Sequence, residues 1–573
     1  MMDYTLKIGG EAGQGIQTVG GTLAKVFSRS GFYIFTHQDY ESRVRGGHNF
    51  YQVRISDHPV SSSRSGVDIL IAMDEASLRL HDRELTAQGL AIYDSSLSKE
   101  KYDREDFLDV PFVSLAEEHG GSKLMSNSVA VGATLGMLGM DVEVLLAVLA
   151  QDMEKKGGEV VQENQNAARA GHRFASQYCD KCSFVLPAPG EAKLLVQGND
   201  AIGCGAIAAG CRFYAAYPMT PSTGIMNYIA ARERKFAIIV EQAEDEIAAI
   251  NMVLGASFGG VRAMTGTSGG GFALMVEGLS LAAMTETPVV IALAQRPGPA
   301  TGLPTRTEQG DLLFALYTAH GEFPRAVFAP GDPQQALRLT VKAFDLAEKY
   351  QIPAIIMTDQ YLADSQWTFD SFELGDAGSK DYRLREPELE KLRSYNRHIL
   401  TEDGVSPLAV PGVSRHLVVT DSDEHGEEGH IIEDAETRVK MVRKRLFDKL
   451  PRLREEIEPP LLYGSGEPDI VIVGWGSNYG VMREAVDSLS GDLSIAMLHF
   501  SELFPFPDTR SFDYLRVLEN ARFTICMENN ASGQFARLMR SETGYEFKGR
   551  INKYDGRPFL LEEIQGGIHD YLK

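Results

Sequence analysis

Short apolar runs that break off at glycine or small polar residues recur along this chain, and a helix pattern follows each of them. Asp68-Ile69-Leu70-Ile71-Ala72, Val289-Val290-Ile291-Ala292-Leu293 and Asp469-Ile470-Val471-Ile472-Val473-Gly474-Trp475-Gly476 are examples. Runs of this length fit buried strands, and strands alternating with helices fit α/β units built on parallel sheets. The 56 glycines, often beside alanine, suit tight strand-to-helix turns better than disorder.

The runs group into segments. The first spans 1–185. It opens on Tyr4-Thr5-Leu6-Lys7-Ile8, then Gly9, Gly10, Gly13 and Gly15, then a helix pattern from Ile16 to Ser30. Leu90-Ala91-Ile92-Tyr93 is a further strand run, and Ala150 to His172 reads as polar helix. Leu186-Pro187-Ala188-Pro189-Gly190 is a turn-rich linker. A second α/β segment covers 191–374, opening on Leu194-Leu195-Val196 and ending near the strand pattern Ile352–Asp359. Residues 375–465 are dense in charge and read as a connecting arm. They include the acidic loop Thr420–Glu428 and a basic amphipathic helix pattern from Ala435 to Arg454. The last α/β segment covers 466–573.

Composition excludes some functions. With 56 basic and 79 acidic residues the net charge is −23, which repels phosphate backbones, so nucleic acid is not an expected partner. No run approaches the roughly 18 apolar residues of a membrane span, and the N-terminus has no secretory pattern. The five cysteines, Cys179, Cys182, Cys204, Cys211 and Cys526, suggest reduced thiols and a cytoplasmic location. Cys179 and Cys182 form one CxxC pair without a second pair or a histidine partner, which fits a chance pair or local staple better than a metal site.

Four stretches of the second segment carry chemistry. In Tyr217-Pro218-Met219-Thr220-Pro221-Ser222-Thr223, Thr220 can cap a helix with Pro221 at its first position, and the free amides there suit a carboxylate. In Ile238–Glu246 a strand ends in carboxylates, and Glu246 shares a helical face with Ile250 and Val253, so it points inward. An inward carboxyl can share a proton with a ligand nitrogen. Glu244 and Asp245 read as ordinary first-turn acids. Thr265-Gly266-Thr267-Ser268-Gly269-Gly270-Gly271 lacks the lysine of a P-loop and reads as a close backbone approach. Gln295–Arg306 is a Pro/Gly loop at a strand end, where α/β proteins bind ligands, and Arg296 there suits a carboxylate. A helix cap and a surface arginine are the plain alternatives for Thr220 and Arg296.

Taken in order, these motifs resemble the 2-oxoacid:ferredoxin oxidoreductases. Tyr217–Thr223 is similar to their Tyr-Pro-Ile-Thr-Pro-Ser/Thr signature, with Met219 in place of Ile, and Arg296–Thr305 resembles the loop of their 2-oxoglutarate-type α subunits. Gly474–Ser477 and Glu528–Gln534 resemble a transketolase-C-like domain. Gly13–Gln17 and Arg45–Asn49 resemble the separate γ subunit. The resemblance covers nearly the whole chain. It implies an α subunit with an N-terminal γ-type α/β domain, a pyrimidine-binding domain for thiamine diphosphate, the arm, and the transketolase-C-like domain.

The resemblance also implies roles. Glu246 hydrogen-bonds the aminopyrimidine ring of thiamine diphosphate, beside Tyr217 and Pro218. Thr220, Arg296 and Thr305 hold the substrate carboxylate, and Arg306 serves a second one. The implied reaction is reversible oxidative decarboxylation of 2-oxoglutarate with coenzyme A to succinyl-CoA and CO2, with ferredoxin as acceptor. Pyruvate and branched-chain or aryl 2-oxoacids are the alternative substrates, and a non-catalytic scaffold is the alternative role. The sequence has no Gly-Asp-Gly motif with a distant Asn and too few spaced cysteines for an iron–sulfur cluster. Mg2+, the diphosphate site and a [4Fe-4S] cluster are therefore expected on a β subunit, in an (αβ)2 assembly. The N-terminal glycines do not match a dinucleotide fingerprint, which argues against nicotinamide or flavin. His48, Arg43 and Arg45 read as anion contacts, for instance to coenzyme A, or as packing and salt-bridge residues. His425 and His430 read as solvated.

Overall fold

A computed structural model describes residues 2–43, 46–98, 101–177, 184, 186–373 and 380–573. The chain forms two compact units. One comprises 1–196, 365–372 and 560–566, the other 197–364, 373–559 and 567–573. Both are α/β, as the alternation of elements predicts. Among the described residues no helix is long and apolar enough to cross a membrane.

The first unit is built on an eight-stranded sheet. Its order is Phe107–Asp109, Leu85–Tyr93, Val67–Ala72, Asp3–Ala12, Gly46–Ser56, Tyr33–Asp39, Gln366–Phe369, Leu194–Gln197. The expected parallel sheet is only half of it. Asp3–Ala12, Val67–Ala72, Leu85–Tyr93 and Phe107–Asp109 pair in parallel, but Tyr33–Asp39 and Gly46–Ser56 form an antiparallel hairpin beside them. That hairpin hides in the sequence because its core-facing strand carries polar residues. Arg54 and Gln52 are buried, and Arg54 grips Asp3 through Nε (2.9 Å) and Nη2 (2.8 Å). Leu194–Gln197, expected to open the next segment, is the edge strand of this sheet instead.

The second unit carries two sheets. The larger runs Glu502–Phe504, Ala326–Phe328, Pro353–Asp359, Val289–Gln295, Arg262–Thr267, Cys211–Ala216, Ile239–Gln242, and all its pairs but the first are parallel. The smaller has five strands in the order Leu461–Gly464, Ile495–Phe500, Ile470–Trp475, Phe523–Glu528, Gly549–Asn552. One apolar cluster joins them, with Ile291, Leu293 and Val327 from the larger sheet and Trp475, Leu498 and Phe500 from the smaller.

Charge fastens the arm of this unit. The expected basic helix forms as Ala435–Arg443, passes through a π-helical turn, Lys444–Lys449, and continues as Leu450–Glu455. Lys444 and Lys449 point inward and both bind Glu286, a buried carboxylate held far below its usual range by the two ammonium groups against the cost of burial. His425 is not solvated as expected. The acidic loop folds back, Glu427 O accepts from His398 N (2.9 Å), and the two imidazoles pack with centroids 4.0 Å apart. His425 is fully buried, whereas His430 is exposed.

Candidate functional site

Parallel pairing sends the C-terminal ends of Cys211–Ala216, Ile239–Gln242, Arg262–Thr267 and Val289–Gln295 to one edge of the larger sheet. The chain goes from Cys211–Ala216 to a strand on one side, then to a strand on the other. Such a reversal opens a crevice beyond the strand ends, between Cys211–Ala216 and Arg262–Thr267. The four stretches marked by sequence are the loops around that crevice.

Glu246 opens the helix Glu246–Phe258. Asp245 caps it, its Oδ1 accepting from Ala248 N at 2.7 Å, and Glu244 is exposed, so these two act as the plain first-turn acids expected. The cap leaves Glu246 free to turn inward with Ile250 and Val253. Only 3% of Glu246 is exposed, and its Oε1 has no hydrogen-bond partner among the described residues. An enclosed carboxylate oxygen without a donor is costly, and its natural complement is a ligand N–H.

The Gly-rich turn leads from Thr267 through Ser268 into the helix Gly269–Leu274. Its glycines are used for space. A methyl at Gly271 would overlap Thr267 Oγ1 and Glu246 Oε1 and stand 2.7 Å from Glu246 Cδ. A methyl at Gly269 would stand 2.5 Å from Asp311 Oδ2 and 2.9 Å from its Oδ1. The turn is therefore a place of close approach, but what approaches its glycines is side-chain carboxylate and not, as expected, a second backbone. Thr265 Oγ1 and Ser268 Oγ are also enclosed without partners among the described residues.

The Tyr217–Thr223 loop corrects the cap reading. The helix starts at Thr223 with Ser222 at its N-cap, so neither Thr220 nor Pro221 holds the position expected, and the Thr220–Pro221 peptide is cis. Ser222 Oγ donates to Met219 O (2.7 Å) and Asn199 Nδ2 to Pro221 O (2.9 Å), which pins the loop from both sides. Tyr217 and Pro218 are exposed on it. Arg296 Nη1 donates to Thr220 O at 2.8 Å, so these two are brought together. Burial weakens the hold of Arg296 on its proton, while Asp311 and Glu246 act in the opposite sense. Thr305 is buried in the same loop. Arg306 lies against Gly556, towards the C-terminal part of the unit.

Asp311 was not singled out by sequence. An acid before the apolar run Leu312–Leu316 reads as a helix cap, and Asp311 does hold the N-cap position of Leu312–Tyr317, yet its side chain makes no cap bond. Burial lifts its carboxyl to about 6, against the pull of the Arg296 guanidinium.

In the first unit, Arg43 pairs with Glu41 (3.0 Å). His48 Nε2 meets His81 Nε2 at 2.8 Å, and His81 Nδ1 meets Glu84 Oε1 at 2.9 Å. Arg45, Cys179 and Cys182 lie outside the described residues.

Residues 204–444 match the family model for the pyruvate flavodoxin/ferredoxin oxidoreductase thiamine-diphosphate-binding domain, and residues 5–174 match the pyruvate ferredoxin/flavodoxin oxidoreductase domain. A 2-oxoacid:ferredoxin oxidoreductase α subunit from Sulfolobus is 32% identical, over 99% of this chain and 96% of its own. The 2-oxoglutarate oxidoreductase subunit KorA of Mycobacterium tuberculosis is 28% identical over 98% and 90%. The solved 2-oxoglutarate:ferredoxin oxidoreductase of Magnetococcus marinus, with 2-oxoglutarate, coenzyme A and succinyl-CoA bound, is 32% identical, with a TM-score of 0.92 and full coverage of both chains.

Proposed function

This chain belongs to the 2-oxoacid:ferredoxin oxidoreductase family as an α subunit, and from that premise we propose that its substrate is 2-oxoglutarate, converted with coenzyme A to succinyl-CoA and CO2 in an enzyme completed by a β subunit. The observation that carries this reading is the enclosed Oε1 of Glu246, without a partner among the described residues, at the crevice where Thr220 and Arg296 meet.

The residues present fit thiamine diphosphate. Glu246 offers a carboxyl shielded from water to a ring nitrogen, and the bare backbone of Gly271 packs against its Oε1 and fixes where it stands. The cofactor supplies the electron sink that decarboxylation of a 2-oxoacid needs. Glu246 holds and shares a proton at Oε1, and its enclosure keeps water from competing for that bond. Arg296 presents a guanidinium fork to the substrate carboxylate, steadied by its bond to Thr220 O, with Thr305 in the same loop. Arg306 takes the second carboxylate that distinguishes 2-oxoglutarate from pyruvate. Support for this substrate is the likeness of the whole chain to a 2-oxoglutarate-binding relative.

A β subunit would bind the face beside the crevice. The Glu246–Phe258 helix leaves Ile247, Met252 and Phe258 exposed, and the edge strand before it exposes Ile239. Large apolar side chains left exposed on one element are what a protein interface covers. The β subunit carries Mg2+, the diphosphate site and the [4Fe-4S] cluster in this reading, passes electrons to ferredoxin, and assembles with this chain as (αβ)2. The test is coenzyme A-dependent viologen reduction by this chain alone and with its co-expressed partner, on 2-oxoglutarate and on pyruvate. We expect activity in the pair only, a preference for 2-oxoglutarate, and a loss of roughly 100-fold or more in Glu246→Gln, the scale of a positioned acid–base group. Preference for pyruvate would remove the substrate assignment, and full activity in Glu246→Gln would remove the site.

A further inference from the structure

Two carboxylates, not one, press on the Gly269–Gly271 turn. Glu246 Oε1 abuts Gly271, and Asp311 Oδ2 abuts Gly269 from the other side. Both oxygens are enclosed and without hydrogen-bond partners among the described residues. Asp311 is held in place by its backbone, whose N–H donates to Gln295 Oε1 (3.0 Å), the residue next to Arg296.

We propose that Asp311 is a second proton-exchanging carboxyl of this site, across the turn from Glu246, and that it takes up a proton when a substrate carboxylate pairs with Arg296. This rests on the reading of Arg296 as the carboxylate anchor. Arg296 is the cation that stabilises the Asp311 charge, and Glu246 draws on the same guanidinium. A carboxylate bound to Arg296 cancels that stabilisation and adds a like charge, and both effects favour protonated Asp311. Glu308, in its own loop, also faces Asp311, and burial and Asp311 both raise its proton affinity. The Gly269–Leu274 helix carries no charge, and Arg537 and Arg540 of the helix Gln534–Thr543, which meets this loop through Gln534, are exposed. The proton comes from solvent. It returns there when the carboxylate departs as neutral CO2 and Arg296 regains Asp311 as its counter-ion, so no oxidant or further reactant is involved.

The carboxyl titrates at about 6 before ligand binds, so it is mostly ionised at pH 7. A tenfold stronger hold on the proton would then take up roughly 0.4 of a proton per site at that pH. The experiment is titration calorimetry of the assembled enzyme with N-oxalylglycine, whose amide carbonyl resists attack, in phosphate and in Tris at pH 7. The buffer-dependent heat reports proton uptake. We expect uptake in the native enzyme and none in Asp311→Asn, with affinity changed less than tenfold. No uptake by the native enzyme overturns the proposal without any variant being needed, as does equal uptake in Asp311→Asn. Unchanged binding in Arg296→Gln would overturn the anchor reading itself, and the proposal with it.

Discussion

Replacing Gly271 with Ala should cripple the enzyme while leaving it folded. The added methyl would stand 2.7 Å from Glu246 Cδ, about 1 Å inside ordinary van der Waals contact. The Thr267 side chain blocks the other direction, and Glu246 is itself enclosed, so the carboxylate must move by about that distance. A displacement of about 1 Å at a reacting group can cost about 100-fold in rate. The stability cost is that of overpacking, about 1–3 kcal/mol, offset by about 0.5–1 kcal/mol for removing a helical glycine. The matched control is the neighbour. A methyl at Gly270 meets nothing nearer than Ala300 O at 3.9 Å, an ordinary contact. The assay is kcat for coenzyme A-dependent viologen reduction by the assembled enzyme, with urea denaturation run on the same samples. We expect Gly270→Ala within about threefold of the native rate and Gly271→Ala reduced by about 100-fold, a ratio set by positioning alone. Equal rates in the two variants would refute the claim that the turn positions Glu246.

Arg296→Lys should raise KM for the 2-oxoacid by roughly 10- to 100-fold with a smaller change in kcat, because an ammonium lacks the bidentate fork, and steady-state kinetics would show it. Met252→Glu places a charge at an exposed apolar position of the Glu246–Phe258 helix and should abolish co-purification with the β subunit while the chain stays monodisperse; retention of the pair would move the interface elsewhere. Acid should loosen the second unit below pH 6.5. Burial lowers His398 to about 3 and His499 to about 4, and lowers His425 too, so these rings stay neutral when folded and take up protons on unfolding. Depressed imidazole values mean stability is complete above the unfolded value and is lost as pH falls below it, at up to about 1.4 kcal/mol per pH unit for each ring. Asp311, raised to about 6, partly offsets this by binding its proton in the folded state. Urea midpoints at pH 7.0 and 5.5 measure the difference, and equal midpoints would count against the buried-neutral state of these rings.

Strand–helix alternation and the order of the loops around the crevice are written in the local pattern of the chain. Apolar runs of strand length must be buried, and burial in α/β units sends the residues after each run to one sheet edge. For that reason the loops that carry Thr220, Glu246, the Gly-rich turn and Arg296 fall at one sheet edge, as the pattern predicts, although the cap expected at Thr220 stands at Ser222; the inward turn of Glu246 follows from its spacing to Ile250 and Val253. Tertiary structure decided what depends on partners distant in sequence. Arg54 and Gln52 are buried in a strand because Asp3 and the Arg64 carbonyl meet them, so polarity concealed the hairpin of the first unit. Lys444 and Lys449 turn inward because Glu286, more than 150 residues earlier, waits there. His425 is buried because the acidic loop folds over His398. Asp311 reads as a cap in sequence, and only the packing of its oxygens on Gly269 shows a second carboxyl at the site. Local pattern encodes which face of an element is apolar, whereas a buried charge is tolerated only by a counter-charge, a hydrogen bond or a shifted titration that long-range contacts supply.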